Sequence, residues 1–189
     1  MIYESLYCLT EEMNEYFRNK LKLNEDKVVL SGLVNQDGSI AIQGENKVIV
    51  TLVNIEKEIT QKVNGKSFSS SMNNQSPPVQ LNVFVLFSAY FSSGNYPEAL
   101  RFLSFIIAYF QGKSVFTQSN TGGLDPKIEK LTFEIVDLNP DALSNMWSTL
   151  GSKYMPSVLY KMRMLSIDES VVREYRPAIS KMTNENNPI

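Results

Sequence analysis

The sequence predicts a single α/β domain, a mixed β-sheet flanked by helices, followed by a short extended C-terminal tail. Three observations carry that prediction. Segments of period two and segments of helical period interleave along the chain, as in α/β domains. The length of 189 residues suits one domain with a sizeable core. Two segments, 56–78 and 168–189, lose all apolar periodicity, which leaves 1–167 as the domain, with one long internal connection and one tail.

The elements follow in order. Ile2, Leu6, Leu9, Met13, Tyr16/Phe17 and Leu21 recur at helical spacing, and Glu4, Glu11, Glu12 and Glu15 precede Arg18, Lys20 and Lys22, the charge order a helix dipole favours. Lys27–Leu33 reads as a strand, Asn35-Gln36-Asp37-Gly38 as a turn, and Lys47–Ile55 as a second strand. That second strand is apolar on both sides, which predicts a central strand covered on both faces. After the polar stretch, Val79–Phe91 resumes as a long strand. A helix over Pro97–Gln111 follows, with Asn95 or Tyr96 at its start and Gly112 at its end. It carries two apolar stripes: Leu100, Leu103, Ile107 and Phe110, then Phe102, Phe105, Ile106 and Tyr109. Such a helix is either sandwiched inside the domain or buried against a neighbouring subunit.

Glu129–Asp137 alternates with Leu131, Phe133 and Ile135 inward. Ser157–Ile167 places Val158, Tyr160, Met162 and Met164 on one face and Lys161 and Arg163 on the other. Between them a helix runs from Asn139-Pro140 to Gly151, with Leu143, Met146, Trp147 and Leu150 as its stripe. The tail 168–189 is polar and of mixed charge, the composition of a mobile segment.

Composition narrows function. The net charge of −2 gives no basic field for nucleic acid or an anionic membrane surface. No apolar run approaches the roughly 20 residues a membrane helix needs. The first ten residues carry no basic stretch and no small-residue cleavage site, so no signal peptide is expected. The single cysteine, Cys8, cannot form an internal disulfide, which points to a reducing compartment, and it reads as a small buried hydrophobe. With no histidine and one cysteine, Ser–His and Cys–His catalysis and imidazole or cysteine metal sites are excluded, which leaves carboxylate chemistry, lysine chemistry or none. No cofactor or metal is expected.

The remaining motifs have ordinary readings. Gly112-Lys113-Ser114 lacks the upstream glycine of a phosphate loop, where Ile107 stands, and it closes a helix instead of opening one. Asn120-Thr121-Gly122-Gly123 reads as a turn. The pairs Asp137/Asp141 and Asp168/Glu169 read as capping and solvated carboxylates. Asn74-Gln75-Ser76 is a chance match to a glycosylation acceptor. Trp147 is in phase with Met146 and Leu150, as for core packing. Lys161 and Arg163 are solvated positions or face an acidic neighbouring subunit.

The ordered set of segments is more specific than any one of them. Glu25-Asp26-Lys27-Val28-Val29-Leu30, Val34-Asn35-Gln36-Asp37-Gly38-Ser39 and Leu52-Val53-Asn54-Ile55-Glu56 come first. Leu81-Asn82-Val83, Leu86-Phe87-Ser88-Ala89, Asn95-Tyr96, Glu98-Ala99-Leu100 and Phe102-Leu103-Ser104 follow. Trp147-Ser148, Leu150-Gly151 and Lys153-Tyr154-Met155-Pro156-Ser157-Val158 complete it. Together, over Ile2 to Asp168, they resemble the amino-terminal domain of the tail-terminator (cap) proteins of contractile injection systems. These are phage-tail-like particles such as the antifeeding prophage and the Photorhabdus virulence cassettes.

The resemblance implies a structural subunit, not an enzyme, that closes the end of tube and sheath as a ring, a homohexamer, and stops their polymerisation. Its partners would be copies of itself and the inner-tube and sheath subunits, with assembly in the bacterial cytoplasm into a particle that is released or retained. Some members of the family continue into a further domain, and contacts made by that part are not carried over. On this reading Phe102, Phe105, Ile106 and Tyr109 are expected at the subunit interface, and Lys161, Arg163, Val171, Tyr175 and Arg176 at sheath or tube contacts. The alternative is a baseplate or adaptor subunit of the same kind of particle. A small-ligand-binding domain or an enzyme would need a polar pocket that the sequence does not show.

Overall fold

The computed structural model describes residues 1–58 and 80–166. The tail residues Val171, Tyr175 and Arg176, the pair Asp168/Glu169 and the triplet Asn74-Gln75-Ser76 lie outside the described residues. The elements are α1 (Ile2–Leu21), β1 (Val28–Leu30), β2 (Lys47–Lys57), β3 (Gln80–Tyr90), a 3-10 turn (Ser93–Asn95), α2 (Tyr96–Gly112), β4 (Val115–Thr117), β5 (Ile128–Ile135), α3 (Pro140–Thr149) and β6 (Ser157–Ser166). They form one six-stranded sheet in the order β1-β2-β3-β6-β5-β4. Only β1 and β2 run parallel, and every other neighbouring pair is antiparallel, so the sheet is mixed as expected.

The helices divide between the two faces. α1 and α2 lie on the first, where Leu6, Leu9, Met13 and Phe17 meet Val48, Val50, Val83, Val85, Phe87, Tyr160, Met162 and Met164. α3 lies on the second, where Trp147, with Leu143, Met146 and Leu150 beside it, packs with Ile49, Leu86 and Leu159. Leu33, Val34 and Ile42, from the connection between β1 and β2, complete that second cluster. The expected stripe of α3 and the core role of Trp147 therefore hold.

Local chemistry fixes the ends of these elements. Asn139 accepts a hydrogen bond from the Ala142 N–H at the start of α3, and Pro140 occupies its first turn. Gly151 follows α3 at φ 68°, a left-handed position that suits glycine. Gly38 at φ 81° closes the expected turn, in which the Gly38 N–H donates to the Asn35 carbonyl at 2.9 Å.

Three expectations need correction. β2 is buried on both faces only over Val48 to Thr51; its register shifts between Leu52 and Asn54, and Leu52 and Ile55 emerge into solvent. Glu56 and Lys57, expected in the long connection, still pair with Asn82 and Leu81. Ile135 is 52% exposed, because β5 runs past the cover that buries Leu131 and Phe133. The three-residue β4 had not been expected.

One buried side chain joins α1 to the edge of the sheet. Asn14 donates to the Val28 carbonyl at 2.9 Å, and its carbonyl oxygen accepts from the Val28 and Lys27 N–H groups at 2.8 and 3.0 Å. Replacing it strands backbone groups that water cannot reach. Asn14→Ala should cost about 2–4 kcal/mol of stability, measurable by urea unfolding, because each unsatisfied buried group costs about 1–3 kcal/mol.

Candidate interaction surfaces

The two stripes of α2 both turn largely toward this chain's own interior. Phe102 meets Phe17 of α1 edge-on at 5.1 Å, and Tyr109 meets Tyr16 at 5.0 Å. From the next face, Phe110 contacts Tyr160 at 4.4 Å, Phe133 at 4.7 Å and Phe87 at 5.5 Å. One stripe thus packs on α1 and the other on the sheet. Phe102, Ile106 and Tyr109 are buried, and Phe105 is half-buried against the same core. The expected subunit interface thus draws on side chains that this chain already covers in large part, Phe105 least completely. What α2 leaves outside is Leu100, with Tyr96 at its start.

A polar staple closes the C-terminal end of α2. Lys113 bonds to Glu12 of α1, donates to the Asn120 carbonyl at 3.0 Å, and lies over the Phe116 ring at 4.7 Å. Tyr109 donates to the same Glu12 carboxylate at 3.2 Å. Burial first, then that neighbouring carboxylate, pushes the Tyr109 phenol far above its usual range, so it stays protonated. Burial also raises the Cys8 thiol, which suits its expected role as a small hydrophobe rather than a nucleophile. Gly112-Lys113-Ser114 and Asn120-Thr121-Gly122-Gly123 therefore hold a turn together.

Lys161 and Arg163 stand on the second face, as expected, where α3 does not reach. Both pair with Glu134, at 3.1 and 3.0 Å, and Arg163 also lies 3.9 Å from Glu58. Their register neighbours are Phe84 and Asn82 on β3, and Glu134 and Thr132 on β5. The Asn82 Oδ1 is buried without a hydrogen-bond partner, beside a cavity of about 490 Å³ also lined by Gln80, Lys130 and Thr132. This is the polar pocket that the sequence had not disclosed. It lies between ion-paired side chains, and among the described residues no group of three or more His, Cys, Asp or Glu could hold a metal.

A second hollow, of about 580 Å³, lies at the end of the sheet where β3 finishes and β6 begins. Its rim carries three strongly exposed side chains, Tyr154 (63%), Tyr96 (53%) and Ile40 (50%), over a floor that includes Ala89, Phe91, Ala99, Met155 and Pro156. Sequence reasoning missed it because it joins four separate segments, each short. The quoted run Lys153-Tyr154-Met155-Pro156 was its one visible trace. No helix among the described residues is long and apolar enough to cross a membrane.

Residues 7–181 match the Pvc16 N-terminal domain family. No curated protein matches the sequence. Among solved structures, the fold is similar to the sheath/tube terminator of PVC, an extracellular contractile injection system, in its extended state. The TM-score is 0.59 at 14% identity, over 100% of this chain and 65% of that one. It is also similar to the tube-terminating cap of the anti-feeding prophage AFP, with a TM-score of 0.55 at 17% identity, over 93% of this chain and 59% of that one. The chain thus spans less than two thirds of the length of either.

The burial of α2 makes a direct prediction. Phe102→Ala should lower stability by about 3–5 kcal/mol, the range for truncating a buried phenylalanine. An interface residue would instead change the molecular mass and leave the melting temperature of the separated chain unmoved.

Proposed function

We propose that this chain, which belongs to the Pvc16 N-terminal domain family, is a structural cap subunit of a contractile injection system. In this reading it closes the end of the tube and sheath and stops their polymerisation. Family membership over nearly the whole chain is the observation that carries it; the fold shared with a sheath/tube terminator and a tube cap supports it.

The physical requirements of a cap are consistent with the molecule. A terminator binds and does not turn over, so it needs shaped surfaces more than reactive groups. Copies of this chain would form a closed ring, a homohexamer, through a heterologous contact that repeats around the axis. Tube and sheath subunits would occupy surfaces left free by that contact. Lys161 and Arg163, on the uncovered second face, remain candidates for one of them, together with Val171, Tyr175 and Arg176. Assembly would take place in the bacterial cytoplasm.

Two experiments test this. Particles assembled without the protein should show tubes of irregular length by electron microscopy; uniform, closed tubes would refute the cap role. A label on the protein should sit at the end of the particle opposite the baseplate, and a label at the baseplate would establish the adaptor alternative. Removing the chain from Val171 onward should yield particles with uncapped or overlong tubes if the tail contributes a contact, whereas capped tubes of normal length would exclude that contribution.

A further inference from the structure

Among the described residues two groups of exposed apolar side chains stand together, while Leu52, Ile55, Leu100 and Ile135 belong to neither. One group rims the hollow at the start of β6, and another forms a ridge on α1, where Tyr3 (64% exposed) and Tyr7 (49%) stack at 5.9 Å. Glu11 and Glu15 continue that ridge at successive four-residue steps on the same outer side of the helix. The ridge is convex and acidic. The hollow is concave, and among the described residues Lys153 is the only charged one lining it. Asp37, on the loop beside it, is already tied to Ser39. Among the described residues Glu11, Glu15 and Lys153 have no ion-pair partner.

Position matters as much as shape. Met155 and Pro156 of the hollow directly precede β6, whereas the first turns of α1 rest on the far end of that strand, with the Ser5 hydroxyl 3.6 Å from the Met164 sulfur. A strand rises about 3.3 Å per residue, so the Tyr3–Tyr7 end of the ridge is roughly 25 Å from the hollow along β6, while α1 runs back toward the hollow's end of the sheet, where Asn14 meets Val28. A concave patch and a convex ridge so separated can join head to tail between copies.

We infer that the α1 ridge of one copy, Tyr3, Tyr7, Glu11 and Glu15, docks into the hollow of the next, against Tyr96, Tyr154, Ile40 and Lys153. The occupant is thus a second copy of this chain, and the contact is the repeating one of the ring. Two tyrosines entering the hollow would remove from water the surface they still expose, 64% of Tyr3 and 49% of Tyr7. Tyrosines seated in apolar pockets with a charge pair at the rim are a common composition of interface hot spots. This inference rests on the ring reading above and names its surfaces.

The test uses the full chain with two surface variants. One alters the hollow (Tyr96→Ser with Tyr154→Ser), the other the ridge (Tyr3→Ser with Tyr7→Ser). The wild-type chain should show a ring mass in solution, and each variant alone the 21.4 kDa of one chain. Mixed in equal amounts, the variants should give a one-to-one dimer and nothing larger, because one intact ridge and one intact hollow remain. Two misfolded variants could not produce that dimer. Lys153→Glu should likewise lose the ring, and mixing it with Glu11→Lys should restore association. A wild-type chain that stays monomeric, variants that keep the ring mass, or a mixture that stays monomeric would each overturn the assignment. Tube length in particles carrying the variants separates the two readings. Normal caps with an unchanged ring overturn the contact and leave the cap role standing. A confirmed contact in a protein whose loss leaves tube length unchanged overturns the cap role alone.

Discussion

A single sheet has two faces, and the described helices are too few to cover both. α1 and α2 cover the first face of the six strands, and the short α3 covers only part of the second. That unequal cover sets the rest of the architecture. It forces α2 to pack on two sides, because it must lie against the sheet and also support α1. It makes the β1–β2 connection supply Leu33, Val34 and Ile42 as a substitute for a second helix. Among the described elements it leaves the distal half of the second face without a covering helix. There the strands carry Asn54, Glu56, Thr132, Glu134, Lys161 and Arg163, side chains that remain hydrated or paired at little cost.

Much of this was legible in the sequence wherever a long period carried the signal. α1, α3, β3 and β6 came within a residue or two of their bounds, since each presents one continuous stripe or alternation to one neighbour. α2 marks the limit of such reading. Its two stripes say that two surfaces cover it, but periodicity is blind to whether the covering atoms belong to the same chain. Phe17 and Tyr16, which cover Phe102 and Tyr109, are far away in sequence and visible only as the inward face of another helix. The bulge at Leu52/Asn54 was illegible for a related reason: Val53 is as apolar as its neighbours, so a one-residue slip leaves the pattern of residue types intact while exposing Leu52 and Ile55. β4 is too short to alternate at all.

The buried polar groups show how the covered face is kept in register. Asn14 fixes α1 against β1 through three backbone bonds, and Glu12 gathers Tyr109 and Lys113 between α1 and the end of α2. Asn14 is the costlier to remove, because its Val28 partners are shielded from water. Neither position could be picked out from composition, where they are ordinary polar residues of an amphipathic helix. Their roles arise when the chain brings Val28 and Lys113 beside them.

The interaction surfaces lie where cover runs out, and their directions differ. The hollow lies at the start of β6 and the Tyr3–Tyr7 end of the α1 ridge near its far end, whereas Lys161, Glu134 and Arg163 stand on the face of the sheet opposite α1. A contact repeated end to end therefore leaves the polar field unoccupied in every copy. Apolar ends suit a lasting union between identical copies. A half-open lattice of ion pairs around the unpartnered Asn82 suits a partner chosen by hydrogen bonding and charge, because mismatched polar groups are penalised there. The proposed cap, binding its own kind around a ring and a different protein along the axis, would use that division of chemistry by direction. Unequal cover of one sheet is enough to generate it.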